Sequence, residues 1–226
     1  MKERIIVFAP HPDDETFGCG GLIAKRLSEN CEVLVVVLTD GKYAFQVMFG
    51  IDSEPTPDEL QEIRKEEVKR ATKILGLPEK NLLFLDFEDG TLEKNQTEVK
   101  RKVLEILKKS CPAEVYFTYE KDVNSDHYIT SRIVKDAVRE LGLDTATYEY
   151  SVVRKYARIG PVIDRWLSVF KRNMVHVDIA KFLHLKAAAL REFKSEVTIL
   201  SPRQPRPIME NIESYLKDRE PFFICR

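Results

Sequence analysis

Four short apolar runs rich in β-branched residues, Ile5–Ala9, Val33–Leu38, Leu82–Leu85 and Val115–Thr118, recur along the first two thirds of the chain. Each is followed by a stretch whose apolar residues return at helical spacing: Phe17 to Leu27, Asp58 to Leu75, Glu98–Leu107 and about Tyr128 to Leu141. Runs this short and continuous suit strands buried on both faces. Their alternation with helices implies right-handed crossovers and an α/β fold, a parallel sheet covered on both faces. Ligands of such sheets bind beyond the carboxyl ends of the strands. The spacing predicts a helix at Asp58–Leu75 stopped by Gly76, with Pro78 just beyond. Gly18, Gly20 and Gly21 allow close packing after the first strand.

The region after about residue 145 is less regular. Thr147–Val153 and Met174–Val177 read as later strands, Ile179–Phe193 as a helix, and Ile208–Leu216 as a last helix after the proline-broken stretch from Ser201 to Pro207. Tyr43 to Pro57 reads as a long loop of the kind that often serves as a functional lid. No repeat, low-complexity tract or boundary divides the chain. The expectation is one domain over 1–226, with a core of about 1–145 and a less regular part from 146 to 226.

Hydrophobic residues at 43% and charged residues at 32% describe a globular chain rather than a disordered one. Thirty-six basic residues against 37 acidic give a net charge of −1, which argues against nucleic acid or an anionic membrane as partner. No apolar run approaches the roughly 20 residues that span a bilayer, and the N-terminus lacks a signal-peptide pattern. A cytoplasmic location is expected. Cys19, Cys31, Cys111 and Cys225 form no Cys-x-x-Cys pair, so free thiols are the default.

Chemistry concentrates at two of the strand ends. Pro10-His11-Pro12-Asp13-Asp14-Glu15 places one imidazole and adjacent carboxylates where the first strand gives way to a helix. His11 and Asp14, three residues apart with Pro12 stiffening the backbone, can converge on one point above the sheet. Asp126-His127 follows the fourth strand, in a loop that also holds Glu120, Asp122 and Asn124. Two histidines and one carboxylate can hold a divalent metal with coordination sites left open, and a spare carboxylate beside them can take a proton from water. The plainer reading of Asp13, Asp14 and Glu15 is a helix cap favoured by the positive helix end. Cys19 is read as packing rather than as a ligand, and His176 and His184 as structural. Arg64, Glu67, Ala71 and Leu75 share one helix face, which puts Arg64 at the rim of the cleft, able to hold a substrate oxygen or simply to pair with Glu67.

These elements, in order, resemble the LmbE-like or PIG-L deacetylases. The resemblance rests on His11-Pro12-Asp13-Asp14-Glu15 with Gly20-Gly21, Leu38-Thr39-Asp40-Gly41, and Arg64-x-x-Glu67-x-x-x-Ala71-x-x-x-Leu75-Gly76. It continues through Asp122-x-Asn124-x-Asp126-His127, Lys186-x-x-Ala189-Leu190-x-x-Phe193-x-Ser195-Glu196 and Glu220-x-Phe222. It implies a Rossmann-like α/β fold with a mostly parallel sheet, and zinc held by His11, Asp14 and His127. It implies Asp13 as general base, Arg64 as a substrate contact, and removal of an acetyl group from an N-acetylated sugar. Family members are often assemblies, so a homo-oligomer is among the expectations. Asn124 stands where many members carry histidine; its amide can donate a hydrogen bond to an oxyanion but cannot protonate an amine. Phe193 and Glu196 replace the commoner His or Tyr and Gln, in what reads as a peripheral signature bearing on substrate choice.

The reading that follows is a zinc-dependent amidohydrolase, with Asp13 and Asn124 catalytic and a small N-acylated amino sugar as its partner. Two other classes fit parts of the pattern. Two histidines and a carboxylate also describe non-haem Fe(II) oxygenases, and the glycines after the first strand suggest a catalytically inactive nucleotide- or sugar-binding module. Aromatic residues Tyr43, Phe45, Phe49, Tyr156 and Trp166 either stack on a sugar ring or pack on one another, with packing favoured.

Overall fold

The structure is a computed structural model and describes residues 2–152 and 174–225. Its β-branched runs form β1 (Arg4–Ala9), β2 (Glu32–Thr39), β3 (Leu82–Phe87) and β4 (Glu114–Thr118). With β5 (Ala146–Tyr150), β6 (Met174–Asp178) and β7 (Arg219–Cys225) they make one sheet in the order β3-β2-β1-β4-β5-β7-β6. The first five strands run parallel, and β7 is antiparallel to both of its neighbours. The mostly parallel α/β architecture thus follows the strand–helix alternation.

Alternate residues of the central strands feed two cores, as the strand period of two requires. Ile5, Val7, Val35 and Val37 pack under α1 (Asp14–Ser28) and α3 (Pro57–Ile74). Ile6, Phe8, Val36 and Leu38 pack under α4 (Gln96–Ser110) and α5 (Ser125–Glu140). The chain leaves β1 for β2 on one side and comes back to β4 on the other, which makes the β1–β4 gap the topological switch point. The loop leading to α1 and the loop leading to α5 both open there.

Three expectations need correcting. The stretch Tyr43 to Pro57 is not all loop: α2 (Ala44–Phe49) forms within it, because Phe45 buries against Ile51 and Leu60 and meets the Phe49 ring one turn on. The helix expected over Ile179–Phe193 is α-helical only at α6 (Leu183–Leu190), after a 3₁₀ turn at Ala180–Phe182. No α-helix forms at Ile208–Leu216, where only Ile212–Tyr215 makes a 3₁₀ turn. There Tyr215 turns inward and its hydroxyl donates to the Val152 carbonyl at 2.6 Å, a tertiary bond that competes with helical winding. Tyr156 and Trp166 lie outside the described residues.

The antiparallel strand β7 is not among the elements expected from the sequence, which assigns none after Leu216. A buried ion pair explains its position. Glu220 on β7 accepts hydrogen bonds from the Gly21 and Leu22 backbone N–H groups of α1 at 2.9 and 2.7 Å, and from Lys186 Nζ of α6 at 2.6 Å. Lys186 Nζ also donates to the Phe17 carbonyl. One charged pair therefore ties two elements of the C-terminal part, β7 and α6, to the helix that starts at the site. Gly18 gives α1 the clearance this packing needs, because a Cβ there would lie 2.1 Å from the Tyr150 ring.

Removing one partner of such a pair leaves a buried charge uncompensated. Lys186→Met is expected to lower unfolding free energy by about 3–5 kcal/mol, read by denaturant titration. A loss below about 1 kcal/mol would show that the pair contributes little to the packing of α1.

Candidate metal centre

His11 leaves the end of β1, Asp14 opens α1, and His127 lies in the first turn of α5 beyond β4. Their donor atoms meet over the switch point. Asp14 Oδ2 lies 3.1 Å from His11 Nδ1 and 3.3 Å from His127 Nε2, and the two imidazole nitrogens are 3.2 Å apart. The three atoms form a nearly equilateral triangle. Tetrahedral ligands held about 2.0–2.1 Å from a zinc ion lie roughly 3.3 Å from one another, so the triangle has the size such an ion needs.

The outer nitrogens of both rings face carboxylates. His127 Nδ1 is 3.1 Å from Asp122 Oδ2, and Ser151 donates to the other oxygen of Asp122. His11 Nε2 faces Asp89 Oδ1 at 3.4 Å and Asp126 Oδ2 at 3.6 Å. Protons on those outer nitrogens leave two lone pairs and a carboxylate oxygen pointing at one another, with no donor among them. Only a cation or a proton satisfies that set, and the carboxylate–histidine arrangement is the one that orients metal-ligating imidazoles. His11, Asp89 and Asp126 form a second group of metal-ligand type. The Asp126 carboxylate, however, also accepts from Gly90 N and Leu92 N, and Asp89 accepts from Tyr43 N, which fixes both as anchors of His11.

Charge follows geometry. Burial disfavours a charged His11, yet Asp126, Asp14 and Asp89 outweigh it and hold its pKa well above the ordinary imidazole value. Burial likewise opposes charge on His127, and Asp14 and Asp122 still raise its pKa. Asp14 is driven the other way, well below the usual carboxylate range, because the two imidazoles overcome the cost of its burial. A site that draws protons onto imidazoles this strongly has a negative potential that favours a cation in their place.

Asp13 sits between the ligand residues but turns away from them. Its backbone is strained, with φ at 144°. The side chain accepts from Arg64 Nη2 at 2.9 Å. Burial raises the Asp13 pKa well above its ordinary value, with Arg64 opposing in part. A carboxylate with that bias takes up a proton readily. Arg64 reaches the rim of the cleft from α3, an 18-residue helix started by a Thr56–Glu59 capping box with Pro57 at its first position. Its guanidinium is turned to Asp13, to Glu196 Oε1 at 3.0 Å and to the carbonyls of Pro12 and Gly41. Gly41 adopts φ +64°, and a Cβ there would lie 2.7 Å from Pro12 and 2.9 Å from Arg64 Nη1, so glycine is what lets the guanidinium in.

Asn124 caps α5, its Oδ1 accepting from Asp126 N at 2.8 Å and from His127 N at 3.4 Å. That fixes the amide and leaves Nδ2 as a donor. A cavity of about 450 Å³ is lined by His11, Asp13, Asp14, Arg64, Asn124 and His127. All six residues singled out from the sequence therefore border one cavity, joined by apolar Val47 and Met48 of α2. Cys19 lies in the core, while His176 and His184 lie elsewhere and are exposed. Gly20 and Gly21 pack against Lys186 and Ile179. Tyr43 bonds Glu88 rather than facing the cavity, and Phe45 packs in its own cluster. Two residues at the site were missed by sequence reasoning. Asp89 lies in the turn expected at Asp89-Gly90 but also faces His11, and Glu196, read as peripheral, lines the cavity.

The family described as PIG-L, GlcNAc-PI de-N-acetylase, matches residues 6–138, which include every residue of the triangle. The chain belongs to the PIG-L family. The LmbE-like resemblance of its motifs is thereby borne out. Across 228 residues it is 28% identical to the probable N-acetyl-α-D-glucosaminyl L-malate deacetylase 2 of Bacillus anthracis, covering 99% of this chain and 95% of that protein. It is also 28% identical over 222 residues to the diacetylchitobiose deacetylase of Thermococcus kodakarensis, covering 95% and 75% respectively. Among solved structures, N,N'-diacetylchitobiose deacetylase from Pyrococcus horikoshii superposes with a TM-score of 0.72 at 23% identity, covering 99% of this chain and 84% of that one, and so shares the PIG-L fold seen here.

The triangle makes a direct expectation for binding. Titration calorimetry with zinc should show one site, lost in His127→Ala. In Asp122→Asn, affinity should fall about 10–100-fold as the ring loses its anchor. Unchanged affinity in His127→Ala would remove that residue from the ligand set.

Proposed function

We propose that the protein is a zinc-dependent hydrolase that removes an acyl group, acetyl in the first instance, from the amide nitrogen of an N-acylated amino sugar or related small conjugate. The observation that carries this reading is the triangle of His11 Nδ1, Asp14 Oδ2 and His127 Nε2 with the unligated Asp13 beside it. The deacetylase names of the Bacillus anthracis and Thermococcus kodakarensis relatives support both the reaction and the substrate class.

A zinc ion held by the triangle would supply a Lewis acid for the acyl carbonyl and lower the pKa of water towards neutrality. Asp13 takes the proton from water as it attacks. Arg64 keeps that carboxylate in one orientation, so the proton is received at a defined place. The Nδ2 of Asn124, fixed by the capping bonds of its own oxygen, is the donor for the oxygen that becomes negative in the tetrahedral state. Asp122, Asp89 and Asp126 align the imidazoles by accepting at their outer nitrogens, so that the inner nitrogens face the triangle, where they must be free of a proton to bind metal. Arg64 contributes to substrate binding as part of the cavity wall.

The Fe(II) oxygenase alternative shares the donor set but has no use for an Asp13 poised by Arg64. The binding-module alternative rested on the glycines, which the structure spends on packing against Tyr150, Lys186 and Ile179. Among the described residues no helix is long and apolar enough to cross a membrane. A cytoplasmic setting is supported by four free cysteines.

Amine release from a panel of N-acetylated amino sugars, with and without chelator, tests the reading. Release should cease on chelation and return with zinc under anaerobic conditions. Asp13→Ala should lower turnover about 10²–10⁴-fold with bound zinc still stoichiometric. Metal loss in that variant would place Asp13 among the ligands, and oxygen-dependent turnover would point to the oxygenase.

A further inference from the structure

Part of the cavity that holds the triangle is apolar. Beside the charged residues, it is lined by Ala44, Val47 and Met48 of α2, by Val152 after β5, and by Ile208 and Met209. Ala44, Val47 and Met48 stand at i, i+3 and i+4, so they share one face of α2. Phe45 and Phe49 belong to a separate face, which packs with Ile51 and Leu60. Val47 is 80% exposed and Met48 45%, so the face that borders the cavity holds large apolar side chains in water. We infer that this wall receives an apolar group of the substrate, an alkyl or aryl group several carbons long, carried on the acyl carbon or on the sugar. The inference rests on the deacylase reading above and names the class of conjugate that the site selects.

The wall is tied to the triangle. Asp89 Oδ1 faces His11 Nε2 at 3.4 Å, and Asp89 Oδ2 accepts from Tyr43 N, just before α2, at 3.1 Å. One carboxylate therefore joins a triangle residue to the start of the apolar helix. Buried Phe45 holds the helix against Leu60 of α3, the helix that also carries Arg64. Ile208 packs on the same cluster, and Met209 N donates to the Glu196 carbonyl at 2.8 Å. The two apolar segments thus reach the cavity from elements that already shape its charged half.

Polar and anionic substituents find little to hold them there. Five carboxyl groups, those of Asp13, Asp14, Asp89, Asp126 and Glu196, line the cavity and oppose a further negative charge. Arg64 has both Nη atoms turned to Asp13, Glu196 and the carbonyls of Pro12 and Gly41. The neutral polar side chains among the described lining residues are Asn124 and Ser125, both at the start of α5 and neither on α2. A second hydroxylated ring laid on Val47 and Met48 would lose water without gaining hydrogen bonds. An alkyl chain laid there removes two apolar surfaces from water at once. A fully buried methylene is worth about fourfold in affinity, and an open wall returns part of that.

Amine release tests this on the methyl glycoside of N-acetylglucosamine, the hexyl glycoside of N-acetylglucosamine, and the methyl glycoside of N-hexanoylglucosamine. At least one hexyl or hexanoyl compound should exceed the methyl N-acetyl compound by about tenfold or more in kcat/KM, chiefly through KM. The compound that gains tells whether the wall takes the acyl chain or the group on the sugar. A glycoside of matching length built from ethylene glycol units should gain nothing. In the double variant Val47→Ser with Met48→Ser the advantage should shrink about fivefold or more, with zinc content and melting temperature near those of the parent. An advantage below about twofold in both series, or one that the double variant keeps, would overturn the inference. So would a lower sedimentation mass in the double variant, because the face would then be covered by a second copy of the chain. Parent protein that releases no amine from any of these sugars would overturn the deacylase reading itself, and this inference with it.

Discussion

The meeting of His11 and His127 across the gap between β1 and β4 is the contact on which the site depends. These residues are 116 positions apart, yet their ring nitrogens come within 3.2 Å. Two imidazoles and a carboxylate pressed together in a buried place form a stable arrangement only when something positive joins them. The sheet order supplies the meeting place, because the crossover reverses at that gap. The surrounding carboxylates supply the negative potential that makes a cation favourable there.

The rest of the site manages the charge so concentrated. Arg64 brings one guanidinium into contact with two carboxyl groups and two backbone carbonyls, and it is 3% exposed. An unpaired charge at that depth would be costly, so Arg64 and the carboxyl groups of Asp13 and Glu196 stabilise and align one another. The strained Asp13 backbone and the left-handed Gly41 both serve this contact, one by turning a side chain away from the ligands and the other by leaving out a Cβ. On the far side of α1, the Lys186–Glu220 pair ties β7 and α6 to the same helix. Catalytic geometry and global packing thus converge on α1.

How much of this the sequence discloses depends on range. The strands β1 to β4 were legible because a buried strand needs nothing but a short β-branched run, and α3 because its apolar period and its stop signal at Gly76 are local. His11, Asp13, Asp14 and His127 stood out for the same reason, as unusual chemistry placed at strand ends. Glu196 did not. It sits in a four-residue helix fixed by Glu67 from a distant element, so no local period marks it. Asp89 read as a turn residue, and only the approach of His11 gives it a further purpose. Strand β7 was hidden by Pro221 and by Glu220, whose partners lie about 200 residues earlier in the chain. The helix expected at Ile208–Leu216 gives way to a 3₁₀ turn where the Tyr215 hydroxyl bonds the Val152 carbonyl, a tertiary contact that no local period announces.

Where a metal ion sits decides the chemistry of the site. Anomalous scattering at the zinc edge from crystals of the purified protein locates it directly. A single peak about 2.0–2.2 Å from His11 Nδ1, Asp14 Oδ2 and His127 Nε2, with Asp13 outside bonding distance, is the expected result. A peak on the other side of the His11 ring, between Nε2 and the Asp89 and Asp126 carboxylates, would contradict it.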